Sequence, residues 1–406
     1  MNYVLIYEKE ELKGKKYFIL KEVSLCEIGE NGAYILMGEH KGEFISNISS
    51  SNEDLLQVDI ISFEKLKEYY ETSDMEEINM QLAYNINLPF IFNEKEELVN
   101  ANENLYTYEK LTDKIIGHDN QIKKILSVIY SNQVLNSSSF TKEEKKVSKR
   151  NMVVMGKTGV GKSLIFKELK ENIDLPICVT RLEKEDNASN MLNIFVNLLK
   201  EADGDYDLAS RGIVVIDNLS DAERYTVLGD MVLLAGKYNF NYLLEAGPVI
   251  FEIEEEKINF DFSDLTFIFL VNTENRKVND KKVGFENETE KTNNSLDRYF
   301  ANETINRITD LVILDDFNKE TYMKILLESS ISPLYIKIEK LKELGINFKY
   351  DLDFISSVAE RALKINQGAF GLIKAVNEVF SDYEFDIITN DCEEIEFKGN
   401  KLVRKI

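Results

Sequence analysis

The segment of this chain best suited to chemistry is GKTGVGKS, Gly156 to Ser163. Its spacing, G-x-x-x-x-G-K-[ST], suits a loop that wraps phosphate oxygens. Gly156, Gly159 and Gly161 leave the backbone free to close on an anion with its N–H groups turned inward. Lys162 is long enough to reach β- and γ-phosphates, and the Ser163 hydroxyl can ligate Mg²⁺. Thr158, Val160 and Leu164 complete the nucleotide-binding set. Such a site also needs a carboxylate at the end of a neighbouring strand. GIVVID (212–217) ends on Asp217, which is placed to hold Mg²⁺. The plainer alternative is a buried strand ending in an ordinary turn Asp. The guanine-reading string N-K-x-D is absent. Asn318-Lys319-Glu320-Thr321 comes nearest and lacks the Asp, so ATP is the nucleotide expected.

These residues need elements to hold them. NMVVM, with its apolar core at 152–155, reads as a short buried strand, and LIFKELKE after the loop reads as a helix. ICVT (177–180), GIVVID and TFIFLV (266–271) are further apolar strands, separated by helical patterns. Buried strands alternating with helices predict an α/β fold with a parallel sheet. From about residue 318 the pattern turns helical. Phe354, Ile355, Val358, Ala359, Ala362 and Leu363 share one helical face. At the other end, YVLIY (3–7), KKYFIL (15–20), EVSLCEI (22–28), AYILMG (33–38) and EFISNI (43–48) predict a small β-rich domain, with a hairpin turn at Glu30-Asn31-Gly32 and a helix near 62–71. Residues 93–110 and 134–150 are polar and read as a linker and a solvated connector. The boundaries expected are a β-rich N-terminal domain over 1–80, a linker over 81–111, a large α/β domain over 112–316 and a small, mainly helical domain over 317–406.

Composition narrows the function. The chain has 406 residues with 49 Lys plus Arg against 72 Asp plus Glu, a net charge of −23, which argues against a broad nucleic-acid interface. No apolar run approaches the roughly 20 residues of a membrane span, and no signal peptide is legible, so a cytoplasmic protein is expected. Three separated cysteines (Cys26, Cys178, Cys392) make neither a disulfide framework nor a zinc site. Two histidines, His40 and His118, leave little for polyhistidine metal chemistry or a Ser–His–Asp triad.

Residues from about 112 to 390 resemble the ClpX-type AAA+ unfoldases, the ATPase partners of the Clp protease. IIGHDNQIKKILSVIY (115–130) looks like the family's opening box, which implies that Ile115 and Ile116 pack near adenine. RGIVVID (211–217) is similar to its Walker B strand. YLLEAGPVIFEI (242–253) and FDFSDLTFIFLVNT (260–273) resemble the segments that follow, with the sensor-1 turn at Asn272 or Thr273. NETINRI (302–308) looks like the arginine-finger segment and puts the finger, which serves a neighbouring subunit, at Arg307. QGAFGLIKAV (367–376) resembles the sensor-2 segment of the small helical lid. The resemblance implies an AAA+ large domain with a lid, ATP and Mg²⁺ as ligands, and assembly into a ring of like or unlike subunits.

Four departures from the family pattern bear on activity. The Glu that follows the Walker B Asp is Asn218 here. An amide binds water but cannot take its proton, and general-base catalysis contributes about 10²–10⁴-fold. The nearby acids Asp221 and Glu223 are possible substitutes. The sensor-2 Arg is Phe370, which cannot pair with a phosphate. The substrate-gripping Gly-Tyr-Val-Gly corresponds to EKEDNASN (183–190), with Asp186 or a neighbour where the aromatic belongs. The zinc-binding N-domain is replaced by the β-rich segment, so no zinc is expected. One docking feature persists: Val283-Gly284-Phe285 matches the family's [LIV]-Gly-Phe peptidase-docking tripeptide, or is a coincidence of a short motif.

The expectation is therefore a ClpX-like ring subunit that binds ATP·Mg²⁺ and hydrolyses it weakly or not at all. It would act in regulation or scaffolding, alongside a Clp peptidase or unfoldase, with the N-terminal domain taking a protein substrate or adaptor. The alternative is an active ATP-dependent unfoldase. A P-loop kinase or transferase is a third class, for which the basic lid cluster is missing.

Overall fold

The computed structural model describes residues 2–12, 15–29, 32–35, 44–46, 56–62, 89–92, 98–100, 103–137, 140–181, 187–220, 225–228, 231–234, 237–253, 256–273, 296–389, 394–399 and 401–405. The chain divides into two units, Met1–Lys110 and Leu111–Ile406.

In the first unit, β1 (Asn2–Leu12), β2 (Lys15–Gly29), β3 (Gly32–Ile35), β4 (Phe44–Ser46), β5 (Leu56–Ser62), β6 (Pro89–Phe92) and β7 (Leu98–Asn100) form one sheet in the order β4-β3-β2-β1-β5, with β6 on β2 and β7 on β6. All its pairings are antiparallel. KKYFIL and EVSLCEI, read as two strands, are one. Opposite β1, Ile6 pairs with Glu22 and Tyr7 with Leu20, so Lys21 is an extra residue in a bulge. A bulge flips the alternation of faces, which splits one strand's pattern into two. The helix expected near 62–71 lies outside the described residues.

Helix α1 (Glu103–Lys114) begins within the polar stretch 93–110, which also contains β7. Helix α2 (Asp119–Ser137) follows. The connector expected at 134–150 instead carries the end of α2 and a short helix, α3 (Lys142–Ser148). The cause is a capping box: Glu144 N–H donates to the Thr141 hydroxyl, while the Thr141 N–H donates to the Glu144 carboxylate at 2.8 Å.

The core of the second unit is a five-stranded sheet ordered β16-β8-β15-β10-β9, from β8 (Met152–Gly156), β9 (Ile177–Thr180), β10 (Ile213–Ser220), β15 (Thr266–Asn272) and β16 (Asp310–Ile313). Every pairing is parallel. Val153, Val154, Val214, Val215 and Phe267 to Leu270 are fully buried, as a sheet covered on both faces requires. The crossovers carry α4 (Lys162–Lys170), α5 (Asn187–Glu201) and α6 (Tyr206–Ser210). Between β10 and β15 lie a pair β11 (Tyr225–Leu228) and β12 (Met231–Leu234), helix α7 (Asn241–Leu244), and a hairpin of β13 (Pro248–Ile253) and β14 (Glu256–Asp261). Buried Asn132 of α2 ties two strands together: its amide exchanges hydrogen bonds with the Arg150 backbone and donates to Thr266 Oγ1 at 2.9 Å. Helix α8 (Asn302–Ile305) precedes β16.

Beyond β16 come α9 (Lys319–Glu328), α10 (Pro333–Glu343), β17 (Asn347–Tyr350), α11 (Leu352–Ile365), α12 (Ala369–Thr389), β18 (Glu394–Lys398) and β19 (Lys401–Lys405). They enclose a second core that includes Tyr322, Leu334, Phe354, Ala362, Phe380 and Phe397. On α11 the five residues Phe354 to Ala362 of the expected face are buried, but Leu363 is 45% exposed. The apolar face is narrower than the spacing implies. Asp351 caps the start of α11 through the Phe354 N–H, and Asn366 ends it in a left-handed conformation. Among the described residues no helix is long and apolar enough to cross a membrane.

Candidate functional site

The glycine-rich loop runs from the end of β8 to the first residue of α4. Gly159 and Gly161 adopt φ of +87° and +104°, which residues with a Cβ rarely reach. Lys162 opens α4 and is buried. Its Nζ donates to the carbonyls of Gly156 at 2.6 Å and Lys157 at 2.7 Å. Burial pushes its pKa down to about 8, against the opposing pull of Asp217. The ammonium is thus folded onto the base of the loop beneath the turn of backbone that would cradle a phosphate.

Ser163 and Asp217 come from different elements and meet here. Ser163 Oγ donates to Asp217 Oδ2 at 2.9 Å. A hydroxyl and a carboxylate converging at a helix start are hard oxygen donors, and that set fits Mg²⁺ better than a thiophilic metal.

Asp217 and Asn218 lie on a bulge. Ile216 pairs with Phe269 and Leu219 with Val271, so β10 carries one residue more than β15 over this interval. Asn218 takes φ of +68°, a conformation that Asn tolerates better than most residues. The Asn218 N–H closes on Asp217 Oδ1 at 2.7 Å. The Asn218 side chain accepts from Asn272 Nδ2 at 3.1 Å, and the next residue, Thr273, donates its N–H to the Gly156 carbonyl. The end of β15 is thereby fastened to both the bulge and the loop.

Thr158, Val160, Asn218, Asn272 and Phe370 line one cleft of about 710 Å³. Gly156, Gly159, Gly161, Lys162, Ser163 and Asp217 adjoin this cleft through the loop and bulge without being among its walls, and Ile115, Ile116, Leu164 and Arg307 are not among them either. Ile115 is buried and hydrogen-bonds within the end of α1, Ile116 is half-buried, and Leu164 is half-buried on α4. Arg307 lines a separate groove and forms an ion pair with Glu245. The Arg307 carbonyl accepts from Asn151 Nδ2 at 3.1 Å, which anchors the segment to the start of β8. Residues 182–186, Asp221, Glu223 and the tripeptide Val283-Gly284-Phe285 lie outside the described residues.

The cleft has walls that the sequence reading missed. Phe317 and Tyr322 meet edge to face at 5.6 Å between centroids, and His118 lies against Phe317 at 5.4 Å. His118 Nε2 donates to the Val160 carbonyl at 2.9 Å, so this histidine braces the loop from behind. The segment 366–370 closes the other side. Ala369 N–H donates to the Gly159 carbonyl at 2.8 Å. A Cβ on Gly159 would stand 2.4 Å from the Gln367 carbonyl, so the two backbones touch directly. Phe370 is 58% exposed, and Lys374 joins it in the wall of the cleft. The available signal for Lys374 was its place four residues after Phe370, on the same helical face.

No family model matches the chain. Among curated proteins, it is 26% identical over 313 residues to the ATP-dependent Clp protease ATP-binding subunit ClpX of Borrelia duttonii, covering 68% of this chain and 72% of that protein. The protein of the same description from Borrelia recurrentis matches equally. That of Treponema denticola is 24% identical over 316 residues, covering 68% of this chain and 75% of the relative.

Proposed function

We propose that this chain, a divergent ClpX-like member of the AAA+ ATPases, binds ATP·Mg²⁺ in the cleft beside Gly156–Ser163, hydrolyses it weakly or not at all, and serves as a regulatory or scaffolding subunit of a ring. The observation that carries the binding step is the meeting of Ser163 and Asp217 at 2.9 Å over the buried Lys162. Backbone N–H groups of residues 157–163 would receive the phosphates, and Lys162 would leave its two carbonyls to meet them. Ser163 and Asp217 would hold the metal, which when bound neutralises charge on the β- and γ-phosphates. Phe317, Tyr322 and Val160 offer an apolar surface suited to the base.

Weak turnover follows from Asn218. Its carboxamide can orient water but cannot accept the proton, and its oxygen is already engaged by Asn272. Nucleotide would then act as a ligand that binds the folded protein and stabilises the closed arrangement of loop and segment 366–370. Arg307, outside its own chain's cleft, would serve a neighbouring subunit. Docking through Val283-Gly284-Phe285 on a Clp peptidase, and capture of a protein substrate or adaptor by the N-terminal sheet, belong to the same reading.

Two measurements test it: binding of a fluorescent ATP analogue, and steady-state phosphate release with saturating Mg²⁺. Binding that is abolished in Lys162→Ala, with turnover about 10²–10⁴-fold below an ordinary AAA+ ATPase, is expected. Ordinary turnover would defeat the weak-hydrolysis reading. It would favour an active ATP-dependent unfoldase, a reading supported by similarity to ATP-dependent Clp subunits over 68% of the chain. That alternative predicts ATP-driven loss of structure in a protein substrate.

A further inference from the structure

We propose that Lys374 supplies the cation that faces the terminal phosphate from helix α12, in place of the charge that Phe370 cannot carry. The proposal rests on reading the cleft as the ATP site and names one further contact within it.

Position alone would put Lys374 too far along the helix. Its Cα lies four residues beyond that of Phe370, about 6 Å at 1.5 Å per residue. Helical side chains, however, lean toward the N-terminus, and lysine has a four-carbon stem. The structure shows this lean carried to its limit: Lys374 Nζ donates to Gln367 Oε1 at 2.7 Å, a residue seven positions earlier. The ammonium is therefore tied to the side chain of a residue that precedes the helix.

That start is where α12 meets the phosphate loop. The carbonyl of Gln367 lies against Gly159, Gly368 presses on the Gly159 carbonyl, and Ala369 N–H donates to that same carbonyl. A charge tethered to Gln367 is thus held at the junction, in a cleft shared with Asn218 and Asn272. In the proposed binding mode Asn218 is the residue that would orient water at the terminal phosphate.

The other lysine in the cleft wall, Lys157, is ion-paired with Asp316, and Lys162 would approach the phosphates from beneath the loop rather than from the side of α12. Lys374 has no carboxylate partner among the described residues, only a neutral amide. A phosphate oxygen would replace a neutral acceptor by a charged one, which strengthens the hydrogen bond. Phe370, on the same face one turn nearer the loop, would shield that contact from water.

The test compares ATP with ADP, each with Mg²⁺, by calorimetry on the full-length protein and its variants. Lys374→Gln is expected to weaken ATP about tenfold, the order of one charged hydrogen bond, and to change ADP by less than about twofold. Lys374→Arg should keep the preference for ATP. Equal effects of Lys374→Gln on ATP and ADP, or none, overturn the proposal while leaving the ATP site standing. A wild-type protein that binds neither nucleotide overturns both.

Discussion

Asn272, at the end of β15, donates its amide to the side-chain oxygen of Asn218 across 3.1 Å, joining the two strand ends that face the phosphate loop. Both partners are carboxamides, so the contact carries no charge and does not titrate. Asn218 holds φ of +68° on a bulge whose other member, Asp217, reaches Ser163. The bulge separates two adjacent residues: one carboxylate turned to Ser163, one amide tied to a neighbouring strand.

Asn218→Glu should raise phosphate release about 10²–10⁴-fold by restoring a proton acceptor. The gain comes against a backbone cost of about 1–2 kcal/mol, because Glu tolerates a left-handed conformation poorly. Asn218→Asp accepts the backbone but has a shorter reach, and should give less. A rate for the Glu variant no higher than wild type would show that a missing carboxylate is not what limits turnover.

Gly368→Ala should loosen the closure of segment 366–370 on the loop. The new Cβ would lie 2.3 Å from the Gly159 carbonyl oxygen, at φ of +58°. Gly345 offers the control, with φ of +76° and no atom within 4 Å of an added Cβ. Gly345→Ala should lose only the backbone term of about 1–2 kcal/mol. Denaturant melts of both variants should show Gly368→Ala losing more, with a matching drop in ATP affinity that Gly345→Ala lacks.

His118 predicts a pH dependence of stability. Burial lowers its pKa, partly offset by the hydrogen bond to the Val160 carbonyl and by Asp315 and Asp119. The neutral ring spends its one N–H on that carbonyl, and Nδ1 is buried without an acceptor for a second proton. The folded state therefore prefers the neutral form, and below the ordinary histidine value of about 6.5 the unfolded chain binds more protons. Stability from this group is full above that pH and is lost as pH falls toward the lowered folded value. Melting temperatures between pH 8 and pH 5 should decline less steeply in His118→Gln than in the parent, and parallel curves would refute the assignment.

Arg307 and Glu245 are each about two-fifths exposed and pair with one another. Breaking such a pair costs up to about 1 kcal/mol, so Glu245→Ala should leave the melting curve nearly unchanged. Arg307→Ala should leave ATP affinity of the separate subunit within about twofold, since Arg307 is not in its own cleft. Any turnover that appears on assembly should fall about 10³-fold in this variant. A loss of affinity in the isolated Arg307 variant would contradict service in trans.

The glycine-rich loop between β8 and α4 was legible because its requirements are local: glycines at fixed offsets, a lysine, and a hydroxyl at the start of a helix. The parallel sheet was legible because strands covered on both faces must be apolar throughout, as Phe267 to Leu270 are. The helix at 142–148 was also legible in principle. Thr141 and Glu144 have the spacing of a capping box, but the surrounding lysines and glutamates resemble a solvated connector.

By itself, the order of residues determined that a glycine cradle, a lysine and a carboxylate were available, and that an amide stood where a base was expected. Only the tertiary structure decided that Asn218 leaves the regular strand geometry, because a bulge exists only in register with a partner strand. Only it set Lys374 in the wall of one cleft with Thr158 and Val160, because a helical side chain's reach has meaning once the helix start is fastened to Gly159. Composition and spacing specify what a segment can form by itself. Contacts between residues 159 and 368, or 218 and 272, arise from packing separate elements around shared cores, and no local pattern encodes them.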